Sequence, residues 1–373
     1  ERYGAALLDA LRRRDPALRC TALGGDGLTV AGAEVVQSNA ELGVMGVGEV
    51  IGALPTVWRA RRRLWRHLAS ADIDLVVPID FPAFNVGLAR RARRLGLPVF
   101  YLVPPQLWAW GSWRLRGFRR AVDRVGSILP FEPRWFGERG VEVFAMGHPL
   151  MEDYGGGRLG ATLERREARI AANEGPLTLG LLPGSRRQEV RTLAPVFKVA
   201  AAVAAGGLST RTVRVVASRA PSLPAGLLRE LCGEGIEISD EPLPTLLPRV
   251  DLALVCSGTA SLETALAGVP HQLAYRTGRL TMAVARRLVR VPHIGLANLI
   301  LEADLVPEYL QEQVTPVALG QGLLRWVREP MRRRGFYAGV RELHERCGAP
   351  GIWERTADEI LTLLPAQRAG GAS

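Results

Sequence analysis

Lysine is almost absent from this sequence, cysteine is scarce and long apolar runs are missing. Each absence excludes something. No apolar stretch reaches the roughly 18 residues that a membrane-crossing helix needs. The most apolar helix-like stretch, LAPVFKVAAAVAAGGL, is interrupted by Lys198 and reads as a core helix. Cys20, Cys232, Cys256 and Cys347 lie far apart and form no CxxC pair. They read as reduced thiols of a cytoplasmic chain, and neither a metal site nor a cofactor is expected. No signal peptide is recognisable at the start. What is present is a globular composition, 47% apolar and 23% charged, in 373 residues, about right for two domains. The net charge is +11, from 48 basic and 37 acidic residues, and nearly all the cations are arginine. Such a chain suits nucleic acid, anionic lipid or phosphorylated substrates, and composition alone does not choose among them.

Short aliphatic runs alternate with helical stretches. DLVVPID (74–80), PVFYLVP (98–104), RVGSILP (124–130) and VEVFAMG (141–147) read as buried strands, with NVGLARRARRLG as a crossover helix. The pattern resumes with LTLGLLPG (177–184), RTVRVVAS (211–218), GIEISD (235–240) and DLALVCSG (251–258). Near-continuous apolar runs separated by helices predict parallel sheets covered on both faces, an α/β class. The Gly-rich segment MGHPLMEDYGGGRLG marks the break. Two doubly wound domains are expected, 1–150 and 151–345, followed by a helix and tail over 346–373. Ligands in such folds sit beyond the carboxyl ends of the strands, and a cleft between the domains is the expected active site.

Two turns stand out. In LTLGLLPGSRRQEV, a strand ends in Pro183-Gly184-Ser185 and a helix begins near Arg187. Gly184 admits close approach, backbone N–H groups at the helix start face an anion, and Arg186 adds a planar fork suited to phosphate oxygens. The Walker A spacing is absent, and an ordinary βα turn with solvated arginines would read the same way. In DLALVCSGTASLETALAGVP, a strand ends in Ser257-Gly258-Thr259, and the following helix carries Glu263. That Glu suits both hydroxyls of a ribose, or else it supports the helix cap. Two anion-ready turns in one domain are the stronger signal.

The blocks LLPGSRRQEV, SGTASLETAL, PHIGLANLIL and VPEYLQEQVTP resemble, in order, those of the bacterial lipid-A-disaccharide synthase family. LGVMGVGEVIGALP (42–55), IDFPAFN (79–85), VPPQLWAW (103–110) and MGHPL (146–150) agree, so the resemblance is collinear over nearly the whole chain. It implies a GT-B fold of two Rossmann-like domains with the nucleotide in the second. It also implies an inverting transfer: UDP-2,3-diacylglucosamine plus 2,3-diacylglucosamine 1-phosphate gives the β-1,6-linked disaccharide phosphate and UDP. On the matching positions, Arg186 would neutralise the diphosphate, with Gly184 and Ser185 completing the turn. Ser257, Gly258 and Thr259 would contact phosphate, Glu263 would hold the ribose, and Asn298 and Gln311 would lie near nucleotide or sugar. Such a transfer needs a general base for the attacking hydroxyl and charge stabilisation for the departing UDP. Asp80 is the candidate base, Glu49 a second candidate for proton transfer or acceptor binding, and His148 in GHPL reads as structural. The family's D-x-P-D-F-N here runs Asp80 to Asn85, with Ala83 in place of the second acid. The family's opening strand and G-E-x-S-G-D turn are unmatched, since Glu1 stands where that Asp would be.

LPTVWRARRRLWRHLA (54–69) predicts a helix with Leu54, Val57, Trp58, Leu64, Trp65 and Leu68 on one stripe and Arg59, Arg62, Arg63 and Arg66 opposite. QLWAWGSWRLRGFRR (106–120) adds Trp108, Trp110 and Trp113 with four arginines. Tryptophan with arginine suits an anionic membrane interface, here on the cytoplasmic face of the inner membrane. Packing of that stripe on a sheet is the other reading. No nucleic-acid motif is present, and a homodimer is left open. Two alternatives remain: another GT-B enzyme using a UDP-sugar, such as an epimerase or a soluble glycosyltransferase, or a degenerate homologue that binds without turnover.

Overall fold

The computed structural model describes residues 1–38, 50–172, 175–278 and 291–364, and the side chains of 50–57 are not among them. The chain forms two compact units, Glu1–Pro149 with Gly351–Ser373, and Leu150–Pro350.

In the first unit every strand pairing among the described residues is parallel. β1 (Thr21–Gly24) pairs with β2 (Glu34–Ser38), and β3 (Phe100–Leu102), β4 (Arg124–Ser127) and β5 (Val143–Ala145) form a second sheet. Neither β1 nor β2 was anticipated, because each is short and mixes polar with apolar residues. The expected strand over 74–80 is present only as two bridges to β3, Val76 to Val99 and Ile79 to Leu102. Pro78 is the reason: it has no N–H to donate, although its carbonyl accepts from Leu102 N at 2.8 Å. The expected crossover is the Pro82–Arg94 helix, which buries Phe84, Ala89 and Ala92.

The Val50–Ser70 helix buries Ala60, Leu64 and Leu68, one residue per turn. Trp58, expected on one stripe with Leu64 and Leu68, is instead off the face they bury and is 59% exposed. It lies two residues, about 200° of helix, before Ala60. The carboxyl-terminal Ile352–Leu361 helix returns to the first unit against the Arg2–Arg14 helix, where Tyr3 meets Trp353 at 5.4 Å between ring centroids. Arg14 holds Asp358 with two hydrogen bonds of 2.6 and 3.0 Å there.

The second unit is built on one parallel six-stranded sheet: β6 (Leu177–Leu182), β7 (Val213–Ser218), β8 (Glu237–Ser239), β9 (Leu252–Cys256), β10 (His271–Tyr275) and β11 (Glu308–Leu310). Their order is 11-10-9-6-7-8, so the chain reverses its direction of travel between β6 and β9. β6 and β9 are almost wholly buried, as their aliphatic runs require. β10 was missed because HQLAY looks half polar, yet His271 and Gln272 are fully buried. His271 Nδ1 lies 2.8 Å from the Val269 carbonyl, and Gln272 donates to the Leu319 carbonyl at 3.1 Å. Burial lowers the His271 pKa to about 4, so the ring is neutral.

Buried charge fixes the base of this sheet. Arg166 is buried and donates to the carbonyls of Val250, Leu247 and Ala267, which tethers the entry to β9 to the exit of the helix after it. Asp251 accepts from Arg169 and from the Thr178 N–H at 3.0 and 2.9 Å, joining β6 to β9. Removing Arg169 would leave the buried Asp251 carboxylate without its cation, a loss of about 3–5 kcal/mol. The four cysteines are free thiols, three of them buried.

Candidate functional site

The two turns singled out in the sequence leave adjacent strands. Leu182 of β6 lies opposite Val255 of β9, so Pro183-Gly184-Ser185 and Ser257-Gly258-Thr259 start side by side at the carboxyl edge. That edge, between β6 and β9, is also where the strand order reverses, the position at which open α/β sheets take their ligands. Two helices begin there, Arg187–Gly206 and Thr259–Leu266.

Gly184 has φ +114°, and a Cβ on it would stand 2.6 Å from Glu189 Oε2 and 3.3 Å from Cys256 Sγ. Only glycine fits. Glu189 is the residue that the sequence reading passed over. Its carboxylate accepts from the N–H groups of Ser185 and Arg186 at 3.3 and 3.2 Å. The donors assigned to an anion are thus held by an internal carboxylate, and a phosphate binding at Ser185 would have to displace it. The Arg186-x-x-Glu189 capping-box spacing was the available signal. The Arg186 side chain is 81% exposed and makes only a 3.4 Å contact with Glu189, so its fork is open to a ligand.

At the second turn, Ser257 spends both donors on protein: its N–H on the Ala274 carbonyl at 3.2 Å and its hydroxyl on the Ile294 carbonyl at 3.1 Å. It keeps lone pairs but offers a phosphate no proton. Gly258 faces open space with φ +153°, and Thr259 is exposed at the helix start. Glu263, half-buried, accepts from the Tyr154 hydroxyl at 3.3 Å. Tyr154 comes from the Gly-rich segment that the sequence marked only as a break.

Asn298 and Gln311 play different parts from those expected. Asn298 is fully buried, donates to the Val306 carbonyl and to Glu308, both at 2.8 Å, and accepts from the Val306 N–H at 3.0 Å. Its amide is committed to scaffold. Glu308 also accepts from the N–H groups of Ile294 and Gly295 at 2.9 Å each, so Asn298 braces the loop that holds the Ser257 hydroxyl. Gln311 has φ +51° and accepts from the Thr277 N–H at 3.2 Å. Its backbone carbonyl takes Arg276 Nε at 3.3 Å, which places one further cation beyond the carboxyl end of β10. No spacing rule pointed to Arg276.

In the first unit Asp80 closes the 74–80 segment. Asp80 and Phe81 have φ +47° and +43°, and Val103, after the neighbouring β3, has φ +57°. Three non-glycine residues in the left-handed region cost about 1–3 kcal/mol each, and such strain gathers at functional sites. The surroundings hold it in place. The Asp80 carbonyl accepts from the Tyr101 hydroxyl and from Asn85 Nδ2, both at 2.8 Å. Its N–H donates to the Leu102 carbonyl at 2.9 Å. The carboxylate is exposed and takes no hydrogen bond or ion pair among the described residues, leaving its lone pairs available. Asn85, which ends the motif, and Tyr101, which lies outside it, hold the Asp80 backbone in place. Glu49 lies outside the described residues. His148 is buried, and burial lowers its pKa to about 4, so it is neutral and not a base poised near pH 7.

The tryptophans divide. Trp58, Trp110 and Trp113 are exposed, the last at 72%, and Arg62 stacks over Trp58 at 5.3 Å. Trp58, Arg59, Arg62, Arg63 and Arg66 line a shallow surface cavity of about 600 Å³. Trp65 and Trp108 are half-buried. Trp108 is held inward: its Nε1–H donates to Glu132 at 3.0 Å and its ring meets Phe131 edge-on. Burial raises the Glu132 pKa from 4.5 to about 7. The folded state therefore binds this proton more tightly than the unfolded chain. The resulting stability is complete below about pH 4.5 and is lost as pH rises through about 7. The window is worth on the order of 3 kcal/mol. Glu132→Gln should remove that fall, which urea midpoints of both proteins at pH 5 and pH 8 would reveal; equal pH dependence would count against it.

These features define a class first. Parallel Rossmann-like sheets with a ligand edge at the switch point match solved GT-B structures. The UDP-GlcNAc 2-epimerase from Neisseria meningitidis, bound to UDP-GlcNAc, superposes with TM-score 0.61 at 11% identity over 97% of this chain and 98% of that one. The calicheamicin glycosyltransferase CalG4 does so with TM-score 0.58 at 19% identity over 96% and 94%. Sequence then separates the classes that the fold does not. The family model for lipid-A-disaccharide synthetase matches residues 1–342. The lipid-A-disaccharide synthase of Syntrophus aciditrophicus is 34% identical over 97% of this chain and 94% of its own. That of Prochlorococcus marinus is 35% identical over 96% and 95%. The chain belongs to the lipid-A-disaccharide synthase family and is a glycosyltransferase. An epimerase or a soluble glycosyltransferase is not favoured. Among the described residues no helix is long and apolar enough to cross a membrane.

Proposed function

We propose that this chain joins UDP-2,3-diacylglucosamine to 2,3-diacylglucosamine 1-phosphate, forming the β-1,6 disaccharide 1-phosphate and releasing UDP. The second unit would carry the UDP-sugar and the first the acceptor. The observation that carries the reading is the pair of glycine turns on adjacent strands at the switch point. The donor diphosphate lies there, against the Gly258–Thr259 helix start and the Arg186 fork, and Glu263, steadied by Tyr154, takes the ribose hydroxyls. Arg186 and the helix termini stabilise the charge that develops on the departing UDP. Asp80 accepts the proton of the attacking 6-hydroxyl as that oxygen displaces UDP with inversion. Asn298 and Gln311 act indirectly, through Glu308 and the Arg276–Thr277 backbone. Exposed Trp58, Trp110 and Trp113 among arginines support contact with an anionic membrane surface, where acylated substrates reside.

The test is UDP release from the diacylated donor, with and without the monosaccharide phosphate. Release that does not depend on the acceptor rejects the reading. Arg186→Ala should weaken UDP binding roughly tenfold, the scale of one charge-assisted contact. Equal affinity by calorimetry would remove Arg186 from the diphosphate site.

A further inference from the structure

A second cavity, of about 440 Å³, opens in the first unit beside the Asp80 turn. One wall is a face of the Pro82–Arg94 helix: Pro82, Val86 and Arg90 recur every fourth residue along it. Arg61 and Arg114 enter from neighbouring segments, and Leu107, Phe118 and Trp113 supply apolar surface. The cavity thus combines three guanidinium groups with an apolar lining.

The three cations are not spent on carboxylates. Among the described residues none of Arg61, Arg90 and Arg114 forms an ion pair, and Arg114 Nε is buried without a partner. Two of them lie on aromatic faces instead: Arg61 over Trp65 and Arg114 over Trp110, each 4.2 Å from the ring centroid. Stacking fixes a guanidinium while leaving its N–H edge free. A glycine makes the room for one of them: a Cβ on Gly117 would stand 2.5 Å from Arg90 Nη2. Uncompensated arginines in a pocket attract a dianion, and the apolar lining suits a hydrocarbon chain attached to it.

We infer that this groove holds the phosphate monoester and an acyl chain of the acceptor lipid, with Arg61, Arg90 and Arg114 as the phosphate clamp. The assignment rests on the glycosyltransferase reading above, because it is the acceptor that carries a phosphate monoester. Pro82 follows Asp80 by two residues, and Arg90 lies about 12 Å further along the helix, room for one phosphorylated sugar ring. The groove therefore selects phosphorylated over unphosphorylated acceptors while Asp80 serves the hydroxyl at its other end.

The test titrates the full chain, without donor, with an acylated glucosamine 1-phosphate and with the same lipid lacking phosphate, following tryptophan fluorescence. The phosphorylated lipid should bind at least tenfold tighter. Arg90→Ala should erase that preference, and Gly117→Ala should reduce it by displacing Arg90. In turnover, both should raise the acceptor KM roughly tenfold and leave UDP affinity and sedimentation with phosphatidylglycerol vesicles unchanged. Equal binding of the two lipids, or an unchanged preference in both variants, overturns the clamp. Lost vesicle binding with an unaltered acceptor KM overturns it too, and assigns the groove to membrane headgroups. Phosphate-selective binding by a wild-type chain that releases no UDP would instead defeat the transferase reading and leave the groove standing.

Discussion

Asp80→Asn should lower turnover by roughly a thousandfold, within the range that a positioned general base contributes, and leave UDP affinity intact. The substitution is a clean one for a structural reason. Asp80 sits at φ +47°, where asparagine is at least as comfortable as aspartate, and the bonds that fix it run through its backbone. The carboxylate contributes no hydrogen bond to the fold among the described residues, so the melting temperature should not fall. Only the proton acceptor is lost. With Ala83 in place of the family's second acid, no nearby carboxylate of the motif substitutes for it. Acceptor-dependent UDP release gives the rate and calorimetry gives the UDP affinity. A rate within a few-fold of wild type would dismiss Asp80 as the base, whereas a parallel loss of UDP affinity would mean that the first unit had been disturbed.

Gly184→Val should be the most damaging change at the donor site. Valine at φ +114° is strained whatever the space, and here there is none: the added Cβ meets Glu189 Oε2 at 2.6 Å and Cys256 Sγ at 3.3 Å. Relief requires the turn to open, which tears the Glu189 carboxylate from the Ser185 and Arg186 N–H groups and shifts the start of the Arg187–Gly206 helix. The expected loss is about 2–4 kcal/mol of stability and more than tenfold in UDP affinity. Gly160→Ala is the matched control, since Gly160 is inside the Leu159–Ala171 helix with nothing within 4 Å of the new Cβ. That control should be neutral or slightly stabilising. Calorimetry with UDP and thermal melts of both variants decide the matter; wild-type UDP affinity in Gly184→Val would show that the turn does not approach the nucleotide.

The strands of the second unit were legible because burial on both faces leaves an unbroken aliphatic signature, as in LTLGLL and LALVC. The turns were legible because glycine and a small hydroxyl after such a run have few other uses. What escaped had a different origin. β10 and β11 carry polar side chains whose partners come from distant segments, such as Leu319 for Gln272. Glu189, Tyr154 and Glu308 are ordinary residues until the fold brings an N–H group, a carboxylate or a loop within 3.4 Å. Trp58 stands at the surface, off the face that buries Leu64 and Leu68, whereas Trp108 turns inward from the expected lipid-facing set, because a helix face is chosen by what it packs against and an indole N–H by where its acceptor lies.

Sequence alone determined the alternation of strand and helix, the two glycine corners, the acid at Asp80 and the family, because local backbone preference and collinear motifs are properties of consecutive residues. Tertiary structure decided which of those corners are neighbours, which donors remain free, and which arginines lack a carboxylate. Those are properties of residues far apart in the chain, and only the strand order 11-10-9-6-7-8 and the packing of the first unit bring them together.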